Sequence, residues 1–261
     1  RGVDHFMMMC LQVEEKILPA AVVRQAVAEK IKKIAATEDR KIFAKEKLAL
    51  KDEIAITLLP RAFTKLTRIY AYIDTQRQWL VLGTANTKKT EQFLSLFKKS
   101  VTEGIEPLDL KNLSAIMADW LKNKTYPSSL TVEKSAVLQD VNQKNRIIRC
   151  QQQDLFDGSI QSLLKEGCEV KQLALSWQDQ IGFVLADNFL LRSIRFQDEI
   201  KEQTKDMEPE TKQQQFDADF FIMTATLANL LQELLNLLVK LQGEREVRMA
   251  TATTVEKLNV N

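Results

Sequence analysis

At 261 residues the chain is long enough for one large domain or two or three small ones around a real buried core. Hydrophobic residues at 45% and charged residues at 28% are ordinary for a globular protein, and 37 Lys+Arg against 35 Asp+Glu leave a formal net charge of only +2. Taken whole, these values exclude a histone-like polycation and an acidic disordered tail, while seven Gly and five Pro exclude collagen-like or low-complexity chains.

Residues 5–13, HFMMMCLQV, read as a strand. The apolar patch from Phe6 to Leu11 is short and carries no small-residue cleavage site, so it is not a signal peptide; Arg1 in place of Met suggests a preceding piece absent from this sequence. From Pro19 to about Phe43, Val23, Val27, Ile31 and Ile34 recur at helical spacing among lysines and arginines. A second helix is expected from about Lys47 to Leu59, ending before Pro60 because the residue preceding proline disfavours the helical region. The two make a helical hairpin. Strands follow at 65–74 and 77–82, with Thr75-Gln76 as a tight turn. Helices are expected at 88–100 and Ser114–Lys122, strands within 129–150, a helix at 157–166, and strands at 169–176, 180–186 and 189–196 with Asp187-Asn188 as a turn. Pro209 marks the start of a last helix, whose stripe of Phe220, Met223, Leu227, Leu230, Leu234, Leu237 and Leu241 is expected to stop at Gly243. Gln232, Glu233, Asn236 and Lys240 interrupt that stripe, which favours core or dimer packing over a membrane span. No repeat of period 20–50 residues is visible.

The chemistry-bearing residues are sparse. His5 is the single histidine, so Ser-His-Asp or Cys-His catalysis would have to run through it. Cys10, Cys150 and Cys168 are scattered and form no C-x-x-C pair, which argues against zinc, iron–sulfur and disulfide frameworks and suits a reducing cytoplasm. GTANTKKT at 83–90 follows a strand and precedes a helix, as a Walker A loop does. Lys88 stands where the second glycine belongs, and a long side chain there hinders the backbone wrap around a phosphate. A nucleotide hydrolase built on this loop is the enzymatic alternative. Lys88 and Lys89 at a helix N-terminus could instead offer charge and free N–H groups to a phosphate. Asp217, Asp219, Asp198 and Glu199 resemble a carboxylate cluster, but acidic residues near helix starts usually cap. No cofactor and no metal are expected.

The near-neutral total hides a segregation. Residues 16–99 hold 18 Lys+Arg and 8 Asp+Glu, a balance of +10; residues 1–15 stand at −2 and residues 100–261 at −6. A basic module on an acidic body suits a polyanion, because Lys and Arg displace the counterions condensed on phosphates. Lys41, Lys98 and Lys99 join Lys88 and Lys89 as candidates. The sequence shows no helix-turn-helix recognition helix, zinc finger or aromatic RNP motif, which favours backbone contact over base readout. A module whose helical arm and Leu stripe bind partner helices is the third reading.

EEKILP at 14–19, LKDE at 50–53, LLPRAF at 58–63, IDT at 73–75, Lys88-Lys89, QDL at 153–155, LALSWQ at 173–178 and FDADFFIMT at 216–224 occur in order. Together they resemble the RdgC family of bacterial recombination-associated DNA-binding proteins, over about residues 5–243. The resemblance implies an α+β chain of mixed helices and antiparallel sheets. It further implies an elongated, multi-lobed monomer that forms a ring-shaped homodimer, passes duplex DNA with little sequence preference, and restrains the RecA recombinase. It implies a cytoplasmic, nucleoid-associated protein that is neither an enzyme nor membrane-bound. Family proteins begin with a further N-terminal segment, in keeping with Arg1. By position, Phe63 matches a dimer-contact phenylalanine and Arg40 a DNA-linked arginine. Gln152 and Gln153 fall where the family has a Lys-Gln pair, so the charge is lost at Gln152. Arg149, Arg192 and Arg195 fall at basic family positions. The expected division is a remnant sheet lobe at 1–15, a basic helical arm at 16–60, a central lobe at 61–128, a C-terminal lobe with the long helix at 129–243 and a flexible tail at 244–261.

Overall fold

The computed structural model describes residues 1–101, 104–143, 145–205 and 211–258, with side chains described in these ranges except at 201, 203–205 and 244–258. Among them, seven α-helices and two antiparallel sheets bear out the α+β expectation.

The first sheet has four strands in the order β1 (Gly2–Val3), β2 (Phe6–Ile17), β3 (Phe63–Asp74) and β4 (Trp79–Leu82). β2 runs four residues past the expected strand because it pairs with β3 along its whole length, from Phe6↔Asp74 to Ile17↔Phe63. Directly opposed residues share a face. Met9, Leu11, Ile69, Ala71, Leu80 and Leu82 therefore lie together, and Phe93 and Phe97 of α3 (Thr87–Ser100) cover them. The turn after β3 spans residues 75–78, not the two-residue Thr75-Gln76 turn expected. Buried Asp74 sets its length, accepting from the Gln76 and Arg77 N–H groups at 3.0 Å each and pairing with the Arg77 guanidinium at 2.9 Å.

Between β2 and β3 the chain leaves as the expected hairpin of α1 (Ala20–Glu38) and α2 (Ala44–Leu58), which pack against each other. Pro19 stands at the N-cap of α1, and Asp39 ends that helix in the left-handed region at φ 43°. Only Val23, Leu50 and Ile54 are buried within the two helices. The β2–β3 ribbon below them, at 14–17 and 63–66, is exposed on both faces. The basic hairpin is thus an arm on a two-stranded stalk.

The second sheet has the order β6 (Ile147–Gln151), β5 (Leu130–Gln139), β7 (Glu169–Trp177), β8 (Ile181–Ala186) and β9 (Leu191–Phe196). Leu173, Leu175, Ile181, Phe183 and Leu185 form its buried face. α4 (Leu113–Asn123) brings Met117, Trp120 and Leu121 to the same core, and α5 (Gly158–Lys165) brings Ile160 and Leu164. Gly167, at φ +94°, ends α5 in a left-handed cap: Cys168 N–H reaches Leu163 O at 3.0 Å and Gly167 N–H reaches Leu164 O at 3.3 Å.

α6 (Asp198–Lys205) was not expected; it follows β9 directly. The expected helix start at Pro209 lies outside the described residues. α7 (Lys212–Leu258) continues through Gly243 instead of stopping there, so the 244–258 stretch expected to be frayed is helical. Gly243 lacks the positive φ of a helix-ending glycine. Among the described residues one helical stretch, Lys212–Gly243 of α7, is long and apolar enough to cross a membrane by length and composition alone. Leu230, Leu234 and Leu238 of that helix are fully buried in the protein core. Glu233, on the same stretch, accepts from Trp177 Nε1 at 2.8 Å and from Ser129 Oγ, fixing the helix to the end of the second sheet. Phe220 packs edge-on against Tyr72, and Phe221 against Phe6, joining α7 to the first sheet.

Candidate nucleic-acid interface

The pairing register sorts the candidate arginines. In the second sheet Arg149 opposes Val137, Arg192 opposes Val184, and Arg195 opposes Gly182, which in turn opposes Ser176. Each of these positions alternates with core residues such as Cys150, Leu138, Phe183 and Leu185. Arg149, Arg192 and Arg195 therefore share the face opposite the hydrophobic core, and all three are exposed. None makes an ion pair among the described residues. Their neighbours there are small or uncharged: Gln172, Ala174, Ser176, Gly182 and Val184. Gln151, beside Arg149, opposes Ser135 on this face. Register shifts at Val132/Ala136, Val137/Leu138 and Gly182/Val184 make this alignment invisible to simple alternation.

Gln152 lies just past β6 with φ 53° and borders a groove on this face, while Gln153 bonds Ser159 Oγ at 3.3 Å through its amide and Lys134 O through its N–H. Gln153 thus serves to shape the turn into α5.

The lysines of α3 form a second basic surface. Phe93 and Phe97 bury one side of the helix, leaving Lys88, Glu91, Ser95, Lys98 and Lys99 on the solvent side. Lys88 and Lys98 lie about 15 Å apart along the axis at 1.5 Å per residue. Lys88 is 77% exposed and stands 3.9 Å from Glu15. Lys89 is half-buried, and its N–H is taken by the Asn86 cap at 3.1 Å, so one of the N–H groups expected to be free for a phosphate is already used. β4 is the edge strand of an antiparallel sheet, and a Cβ on Gly83 would meet Tyr70 O at 3.1 Å. Close approach of two strands, with Gly83 N–H bonding Tyr70 O at 2.8 Å, accounts for that glycine without a nucleotide.

Arg40 and Lys41 occupy the link between α1 and α2. Lys41 is exposed. Arg40 is clamped: Glu46 takes both terminal nitrogens at 2.8 and 2.6 Å, and Glu38 takes Nε at 2.5 Å. These bonds hold the guanidinium still more firmly in its charged form, and Arg40 holds the Glu46 carboxyl below its ordinary range. A depressed carboxylate pKa adds to stability above the ordinary value, and the contribution is lost as pH falls through the folded value. Glu46→Gln is therefore expected to remove an acid-side loss of helix content in the arm. It should also free the two terminal nitrogens of Arg40, which Glu38 still holds at Nε, and raise affinity for a polyanion about two- to threefold, the scale of one exposed ion pair. Circular dichroism between neutral and acid pH, with a DNA titration at neutral pH, checks both.

Phe63 is the first residue of β3, opposite Ile17, and is 86% exposed. His5 packs against Phe6, with ring centroids 4.0 Å apart and planes tilted by 39°, between Asp4, 2.7 Å from Nδ1, and buried Asp74, 3.9 Å from Nε2. Burial pushes the Cys150 and Cys168 thiols up, away from nucleophilic use. Asp217 pairs with Arg1 and Asp219 accepts from Gln215 at 2.8 Å; Asp198 and Glu199 open α6. Among the described residues no three His, Cys, Asp or Glu side chains are grouped to hold a metal ion.

A family model described as "Putative exonuclease, RdgC" matches residues 1–241. Curated relatives named "Recombination-associated protein RdgC" from Yersinia pestis, Yersinia pseudotuberculosis and Yersinia enterocolitica are each 36% identical over 240 residues, covering 91% of this chain and 78% of the relative. With a family model spanning nearly all of the chain and relatives aligned over most of their own length, the chain belongs to the RdgC family of recombination-associated proteins.

Proposed function

We propose that the protein binds duplex DNA through its backbone, with little sequence preference, and acts as a homodimer that encircles the duplex. The observation that carries this is the set of unpaired arginines, Arg149, Arg192 and Arg195, on the coreless face of the second sheet. Guanidinium groups spread over a sheet of small and amide side chains suit an array of phosphates, and nothing among them resembles a helix inserted in a groove. The solvent side of α3 and the arm offer further basic groups, Lys88, Lys98, Lys99 and Lys41. On this reading the protein works in the cytoplasm on the nucleoid and restrains RecA by occupying DNA. No covalent step is needed, so the reading is of a binding protein and not of a nuclease.

A salt titration against linear and circular duplexes of equal length tests it. The logarithm of affinity should fall linearly with the logarithm of salt, by about 0.9 per phosphate neutralised. A closed ring should persist on circles and slide from linear ends. Salt-independent affinity would overturn the DNA reading, and equal retention on both forms would overturn encirclement. End-labelled duplex incubated with magnesium should stay full length; progressive shortening would establish an exonuclease instead.

A further inference from the structure

Beside Arg195 the exposed face of the second sheet is hollowed into an open groove of about 1120 Å³, walled on its far side by α6 and the first turns of α7. Its floor is flat where Ala174 and Gly182 stand on neighbouring strands. A Cβ built on Gly182 would meet nothing within 4 Å. Glu133, Ser135, Gln152, Arg195 and Gln197 border this floor, and Gln215 and Asp219, bonded to each other, stand on the α7 wall. None of the five at the floor makes a side-chain hydrogen bond or ion pair among the described residues.

We propose that this groove receives an unpaired nucleobase of the bound DNA. Between Val184 and Ile194, the stretch of floor over Ala174 and Gly182 accepts a planar ring that a Leu or Val side chain at either of those two positions would exclude. Amide and carboxylate groups at the rim supply both acceptors and donors for the exposed edge of such a base, as single-stranded nucleic acid requires and paired bases do not. A carboxylate accepts from an exocyclic amine, whereas it would repel a phosphate, so Glu133 fits a base better than a backbone. Arg195 borders both the groove and the arginine face, which places a phosphate contact one step from the base. The inference rests on the DNA-binding reading and adds to it a preference for duplexes that carry a gap or flap.

The test uses the whole chain and two circular duplexes, one fully paired and one with a single-nucleotide gap opposite a 2-aminopurine. The protein should bind the gapped circle about fivefold or more tighter, the lower end of what one stacked base contributes, and should shift the 2-aminopurine fluorescence. Gly182→Val fills the floor without backbone strain, since Gly182 lies outside the positive-φ region. It should bind both circles alike, and the ratio of the two affinities is the readout, because Gly182 lies opposite Arg195 on the duplex-binding face. Ala174→Leu should do the same and serves as the second variant should the first not fold. Equal affinity of the native protein for both circles, or a preference that survives both substitutions, overturns the groove assignment and leaves duplex binding standing. Failure to bind either circle overturns duplex binding and the groove together.

Discussion

Replacing Arg149, Arg192 and Arg195 together with Ala is expected to lower affinity for duplex DNA about a hundredfold at moderate salt. The plot of log affinity against log salt should flatten by about 2.7 per chain, about 0.9 for each phosphate that is no longer neutralised. The fold should survive, because all three side chains are exposed and stand on the face without a hydrophobic core; surface changes of this kind stay within about 0.5 kcal/mol. Loss of affinity should be equal across sequences, since phosphates carry no base identity. Arg40→Ala is the contrast. Its guanidinium is already held by Glu38 and Glu46, so its removal should change DNA affinity far less than that of any one of the three sheet arginines. Filter binding or fluorescence anisotropy at four or five salt concentrations decides it. An unchanged slope in the triple variant would remove this sheet face from the DNA interface and leave α3 and the arm to carry it.

The helical arm, the β3–β4 hairpin and the positions of the last three strands along the chain could be read from periodicity and from punctuation by Pro19, Pro60 and Asp187-Asn188, because each uses local signals. α6 escaped because DEIKEQTK holds a single apolar residue, Ile200, and one residue makes no stripe. Ile200 is nonetheless buried, and tertiary packing against α7 supplies what periodicity lacks. The overrun of α7 past Gly243 has the same character: glycine permits a left-handed stop but does not impose one. At the interface, the charge segregation pointed to residues 16–99, yet the unpaired arginines on the clearest polar face belong to β6 and β9, in the stretch with net negative charge. Net charge sums residues that face different ways. Only the register, shifted by bulges, shows which side chains emerge together. Arg40 was legible as a cation but its full neutralisation was not, because Glu46 meets it only when α2 folds back on α1.

Phe63→Ser is expected to weaken self-association about a hundredfold or more while leaving the monomer's thermal stability unchanged. At 86% exposure Phe63 contributes almost nothing to the core of its own chain. Ile17, opposite it in the ribbon, is 46% exposed, and Leu59, Ile56 and Leu66 nearby in sequence are also exposed. An apolar group of this size left to water marks an association surface. In a two-fold dimer the same residue is presented by both copies, so each substitution acts twice. Burying one Phe side chain is worth about 1.5–3 kcal/mol, which doubles to about 3–6 kcal/mol, or two to four powers of ten in the dimer constant. The stalk gives the substitution a second consequence. The arm is joined to the body by a ribbon exposed on both faces, so a dimer contact at Phe63 would also set the position of the arm. A dimer weakened there should also lose its advantage on circular over linear duplex, since a ring that does not close cannot be retained by topology. Light scattering across a dilution series, paired with the circle-retention assay, reads both effects. Unchanged dimer mass at low concentration would place the association surface elsewhere, and a weakened dimer that kept its circle preference would separate dimerisation from encirclement.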